Sequence, residues 1–132
     1  MRKFVATFVS TLFITCVAFA QSAIDFDAPL IDLDGKPFQV PMADGKTPEN
    51  LTLGMAAIIA INNQEKPNSP TPPEKKYKDG LLAQKIYKKK VTLTVEEIAS
   101  LKEAIGKQFG PLVILSAYKM LDPALAEKEA KK

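Results

Sequence analysis

Apolar residues recur at Ile98, Leu101, Ile105 and Phe109, the three- and four-residue spacing that puts side chains on one face of an α-helix. Thr94 followed by Glu97 forms a capping box at the start of this helix, and Leu93 with Ile98 closes a hydrophobic staple across it. Glu103 and Lys107 form a favourably ordered i,i+4 pair on the solvent side. Gly110-Pro111 ends the element and opens another, Leu112 to Leu121, in which only Ser116 and Lys119 are strongly polar. A segment so apolar is expected inside the core or at an interface.

Two more helices are predicted upstream. Leu51 to Asn62 is an alanine- and isoleucine-rich run, apolar all round, with Asn50 or Thr52 as its cap. Glu74 to about Lys89 pairs Leu82 with Ile86 and Ala83 with Tyr87 at i,i+4 spacing, behind Pro72 and Pro73 at its start. The stretch between them, Asn62 to Pro73, holds Pro67, Pro70, Pro72 and Pro73 and reads as an exposed connector. From Ile24 to Val40 apolar residues are interspersed with Asp25, Asp27, Asp32 and Asp34, and Asp34-Gly35 supplies a tight turn. A small β hairpin is expected there, a second turn at Asp44-Gly45, and a short added strand at Val91 to Leu93.

The fold class is therefore mainly α with a small N-terminal β hairpin, an α+β arrangement of about four helices in one compact domain over residues 21–121. Its expected core is Leu53, Ile58, Ile59, Leu82, Ile86, Ile98, Leu101, Ile105, Leu112, Ile114, Leu115 and Leu121. Residues 122–132, opened by Asp122-Pro123, are expected to be a charged tail that frays.

The first twenty residues carry a different pattern. Arg2 and Lys3 precede an apolar stretch from Phe4 to Phe19, and Ala18 and Ala20 stand at the minus-three and minus-one positions before Gln21. This is the layout of an export signal cleaved after Ala20, so the protein is expected in the periplasm or secreted, with membrane contact only transient. Thr7, Ser10, Thr11 and Thr15 make the stretch a poor spanning helix, and Thr15 before Cys16 departs from a lipoprotein acceptor site.

Cleavage changes the chemistry available. Arg2 is the only arginine and Cys16 the only cysteine, so the mature chain would lack Arg and Cys as well as His and Trp. Intrachain disulfides, the usual zinc sites, Cys nucleophiles and His-based triads are then without their residues. Carboxylate pairs are the remaining acid-base candidates: Asp25 with Asp27, Asp32 with Asp34, and Glu96 with Glu97. The last pair complements a helix dipole, and Asp32-Leu33-Asp34-Gly35 lacks the glycine and glutamate positions of an EF-hand loop. No catalytic residue, cofactor or metal site is expected.

Removing Arg2 and Lys3 also lowers the basic residues from 18 to 16, against 15 acidic ones. Charge stays segregated: residues 21–65 hold seven acids and two lysines, and residues 66–90 hold eight lysines and two acids. Lys75, Lys78, Lys85, Lys88 and Lys89 form a candidate basic patch, for which a solvated face is the simpler explanation. Without arginine, specific nucleic-acid reading is not expected.

Asp34-Gly35-Lys36-Pro37, Leu51-Thr52-Leu53-Gly54, Leu82-Ala83-Gln84-Lys85-Ile86-Tyr87 and the run from Val91 to Leu121 together resemble a family of small phage and prophage proteins of unknown function. The resemblance implies a small, mostly helical structural or assembly component. The export signal departs from it, since a cytoplasmic assembly component has no use for one.

Three functions follow as expectations. The first is an exported, non-enzymatic domain that binds another protein or serves a structural role. The second is a phage-type assembly protein acting inside the cell. The third is a hydrolase using carboxylates alone, which requires Asp25, Asp27, Asp32 and Asp34 to converge in a cleft. The first fits the residues best, with a homo-oligomer left open.

Overall fold

The computed structural model describes residues 22–41, 45, 47–64 and 68–131. The signal segment and its cleavage residues Ala18, Ala20 and Gln21 lie outside them. Five helices carry the described chain: α1 Leu53–Asn62, α2 Pro73–Ile86, α3 Val95–Gln108, α4 Pro111–Leu121 and α5 Pro123–Ala130. Four short strands accompany them: β1 Ile24–Asp25, β2 Gln39–Pro41, β3 Pro48–Asn50 and β4 Lys90–Val91. The mainly helical class with a small antiparallel β part is as expected.

The β part is wired differently from a single hairpin over Ile24 to Val40. β1 pairs antiparallel with β4, matching Ile24 to Val91 and Asp25 to Lys90, while β2 pairs antiparallel with β3; Asp44 of the expected second turn lies outside the described residues. The Asp34-Gly35 turn forms, with Gly35 at φ +77, but it closes only one bridge, Ile31 to Pro37. The reason lies in competing partners. The Leu30 amide donates to the Leu51 carbonyl, the Leu51 amide to Phe38 and the Phe38 amide to Leu30. This cycle of three backbone bonds ties three stretches together at one point and leaves no room for a two-stranded ladder.

That crossing also starts α1. Thr52 caps the helix by accepting from the Met55 amide, and the Leu53 and Gly54 amides donate to the carbonyls of Ala28 and Phe26 at 3.0 and 2.8 Å. First-turn N–H groups that would otherwise be orphaned are thus satisfied by the incoming chain. A side chain at Gly54 would place its Cβ 2.9 Å from the Phe26 carbonyl oxygen, so the approach requires glycine.

α1 lies centrally, against α2 and α3, and α3 in turn packs on α4. Ala56, Ala57 and Ala60 are buried on α1 and Ala104 is buried on α3, and small side chains let helix axes come close. Around them Phe26, Leu30, Leu53, Ile86, Leu93, Leu101, Ile105 and Leu121 fill the interior. The capping box at α3 is complete, with both the Thr94 hydroxyl and the Glu97 carboxylate accepting backbone N–H groups.

Two expectations are corrected here. Leu112 and Leu115 are not core: they are 45% and 38% exposed, because the fully buried positions of α4 are Ala117 and Leu121 on its other side. Residues 122–132 are not simply a frayed tail. Pro123 starts α5, the fifth helix, which packs on α4, and the Asp122 carboxylate holds Lys102 of α3 at 3.1 Å.

Candidate functional site

The 32–36 turn is rigidly made. Asp32 Oδ1 accepts the amides of Asp34 and Lys36 at 2.8 and 2.9 Å, and the Asp32 amide donates to the Lys36 carbonyl. An aspartate binding the backbone two residues on is ordinary turn chemistry. The Ile31 amide then donates to Ser116 Oγ on α4 at 2.9 Å, fastening the turn to the helix. This gives Ser116 a role across 85 residues of sequence.

Between the two fastened walls runs a groove of 370 Å³. Ile31 and Leu33 line one wall, and Leu112, Leu115 and Met120 line the other, with Asp32, Ser116 and Lys119 completing the lining. Leu33, at the tip of the turn, is 75% exposed. Single exposed leucines are commonplace, whereas here Ile31, Leu33, Leu112 and Leu115 lie together around one groove.

The candidate basic patch is divided by ion pairs. Lys75 contacts Asp79 at 2.9 Å and also Gln64, Lys85 pairs with Glu97, and Lys89 pairs with Asp27 at 3.0 Å. Lys78 and Lys88 are exposed and make no ion pair among the described residues. The hydrogen bond to Asp27 and its negative charge raise the Lys89 ammonium above its ordinary value. Partial burial pushes the Glu97 carboxyl up, but the hydrogen bonds from Lys85 and the Thr94 amide, with the Lys85 charge, together outweigh it and hold the group below the usual value. In the exposed i,i+4 pair, hydrogen bonding to Lys107 and its charge lower the Glu103 carboxyl.

The four aspartates sit at two separate turns. Asp25 accepts the Asp27 amide, Asp27 pairs with Lys89, and Asp32 braces its own turn. Among the described residues no three His, Cys, Asp or Glu side chains gather as a metal-ligand group. A second hollow, of 270 Å³, lies between the end of α1 and α2 and is lined by Gln64, Lys76 and Asp79. Its buried carboxylate, Asp79, already has Lys75 as partner.

Sequence reasoning assigned Leu112 and Leu115 to the core and passed over Ile31 and Leu33. A signal was present. Positions 112, 115, 116 and 119 share one helical face, and that face holds both strongly polar residues of α4, which marks it as the outer one. Leu33 within Asp32-Leu33-Asp34-Gly35 is likewise an apolar residue at a turn tip, where burial is rare.

No known protein family, curated protein or solved structure matches this chain.

Proposed function

We propose that this protein is an exported, non-enzymatic domain that binds another polypeptide through the groove between the 32–36 turn and α4. The observation that carries the reading is the cluster of exposed Ile31, Leu33, Leu112 and Leu115 on walls fastened by the Ile31–Ser116 hydrogen bond. Such a surface needs only shape and apolar area, which suits a mature chain without His, Cys or Arg. Export is the reading of Met1 to Ala20, which holds a basic start, an apolar stretch and small residues before Gln21.

Placing a photoreactive phenylalanine analogue at position 115 in producing cells tests the contact face. A covalent product is expected from position 115 and not from position 77, an exposed site on α2 that lines no part of the groove. Equal products from both, or none from 115, would remove the groove as a docking site. Mass spectrometry of the same material tests export. A chain beginning at Gln21 is expected, whereas a cytoplasmic species retaining Met1 would favour a phage-type assembly protein acting inside the cell.

A further inference from the structure

An export signal cut after Ala20 leaves Gln21 as the first residue of the mature chain. That is a chemically special place for glutamine. Its side-chain amide carbon lies within reach of the chain's own terminal amine in a ring free of strain, whereas the shorter asparagine could close only a strained one. Holding nucleophile and carbonyl in one residue replaces an encounter in solution with an intramolecular step. A terminal amine ordinarily titrates at about 8, so part of it is neutral and nucleophilic at neutral pH.

The structure leaves this end of the chain accessible. Ser22 and Ala23 are exposed and stand ahead of the first paired residue, Ile24, so the backbone that Gln21 joins runs in solvent rather than in the β1–β4 ladder. Ser22 also lines a hollow of 240 Å³ walled by Ile24, Leu93, Val95, Ile98 and Leu121. The remaining residue of that lining is Asp122, whose charge is offset by Lys102 at 3.1 Å. The lining therefore supplies the nearby amine with no uncompensated carboxylate that would hold it in the protonated, unreactive form.

Resting on the export reading above, we propose that Gln21 is a modification site, where the terminal amine closes on its own side chain to give an amino-terminal pyroglutamate. The amine nitrogen attacks the side-chain amide carbon and a lactam C–N bond forms. The bond from that carbon to the amide nitrogen breaks, and ammonia leaves with one proton from the amine. No electrons are exchanged and no co-reactant is needed. The product carries neither a positive charge nor a primary amine at its start, so the mature chain loses one cation and presents aminopeptidases with a blocked end.

Intact-mass and amino-terminal fragment spectra of the protein recovered from producing cells test the modification. The expected chain begins at position 21 and is lighter by one ammonia than residues 21–132, with the loss mapping to its first residue and running to completion over days at neutral pH. Gln21→Ser should be cut at the same bond and keep its full mass. A chain that starts at Gln21 and holds its ammonia through that incubation overturns the cyclisation while leaving export standing. An equal shortfall in Gln21→Ser overturns it too, since the ammonia would then come from another residue. A chain retaining Met1 overturns both readings, because Gln21 would have no free amine.

Discussion

α3 and α4 are neighbours of similar length that solve opposite problems. α3 has one apolar face and one charged face, and it packs the first against the core: Leu101 and Ile105 are inaccessible and Ile98 and Phe109 half-buried, while Glu103 and Lys107 pair in solvent. α4 is apolar nearly all round, yet only Ala117 and Leu121 are fully buried and its leucines at 112 and 115 face outwards. The lesson is that hydrophobicity in excess of what one core can absorb must go somewhere. In α3 the composition matches the demand of the monomer; in α4 the surplus defines a surface, which the turn at Leu33 extends into a groove.

Perturbations of unequal size sharpen the contrast. Leu101→Ala empties a fully enclosed site on α3 and should destabilise the protein by about 2–5 kcal/mol in urea unfolding. A loss below about 1 kcal/mol would mean that Leu101 of α3 is not enclosed in the core. Thr94→Ala removes the hydroxyl half of the capping box and should cost about 1 kcal/mol, with no change in the cooperativity of unfolding.

The Glu97 carboxyl gives a smaller, pH-dependent effect. Its value is lowered in the folded state from 4.5, so its contribution is present above that value and is lost as the pH falls through the lowered one. Glu97→Gln, which preserves a capping acceptor, should flatten this part of the decline in stability as the pH falls below 4.5. An unchanged acid limb would show that the Lys85 pair contributes nothing. Leu115→Ser on α4 should cost about 1 kcal/mol, clearly less than Leu101→Ala, because the side chain is 38% exposed rather than enclosed. A loss as large as that of Leu101→Ala would make α4 an ordinary core helix and erase the distinction.

The same contrast explains what was legible in the chain. α3 could be read to the residue because its signals are local: Thr94, Glu97 and the spacing of its apolar positions all act within a few residues of one another. The cap of α1 and the proline starts of α2 and α4 belong to the same class, whereas Pro123 read as the opening of a tail and instead starts α5. The β part could not be read so fully, since the pairing of Ile24 with Val91 and the Leu30–Phe38–Leu51 cycle join distant segments. Leu51, Ile24 and Phe26 entered the core through those long-range bonds and carry no periodic signature. The groove was hidden for a related reason. Its outward helix wall was marked by Ser116 and Lys119, but that the turn at Leu33 supplies the opposite wall depended on Ser116 meeting Ile31, a contact between residues far apart in sequence.

The central claim is that the outward face of α4 is a contact surface, and irradiation of the chain carrying a photoreactive residue at position 115 tests it most directly. A covalent adduct joined at the groove, absent when the same residue is placed at position 77, is the predicted result. Recovery of only the uncoupled chain from position 115 would contradict it.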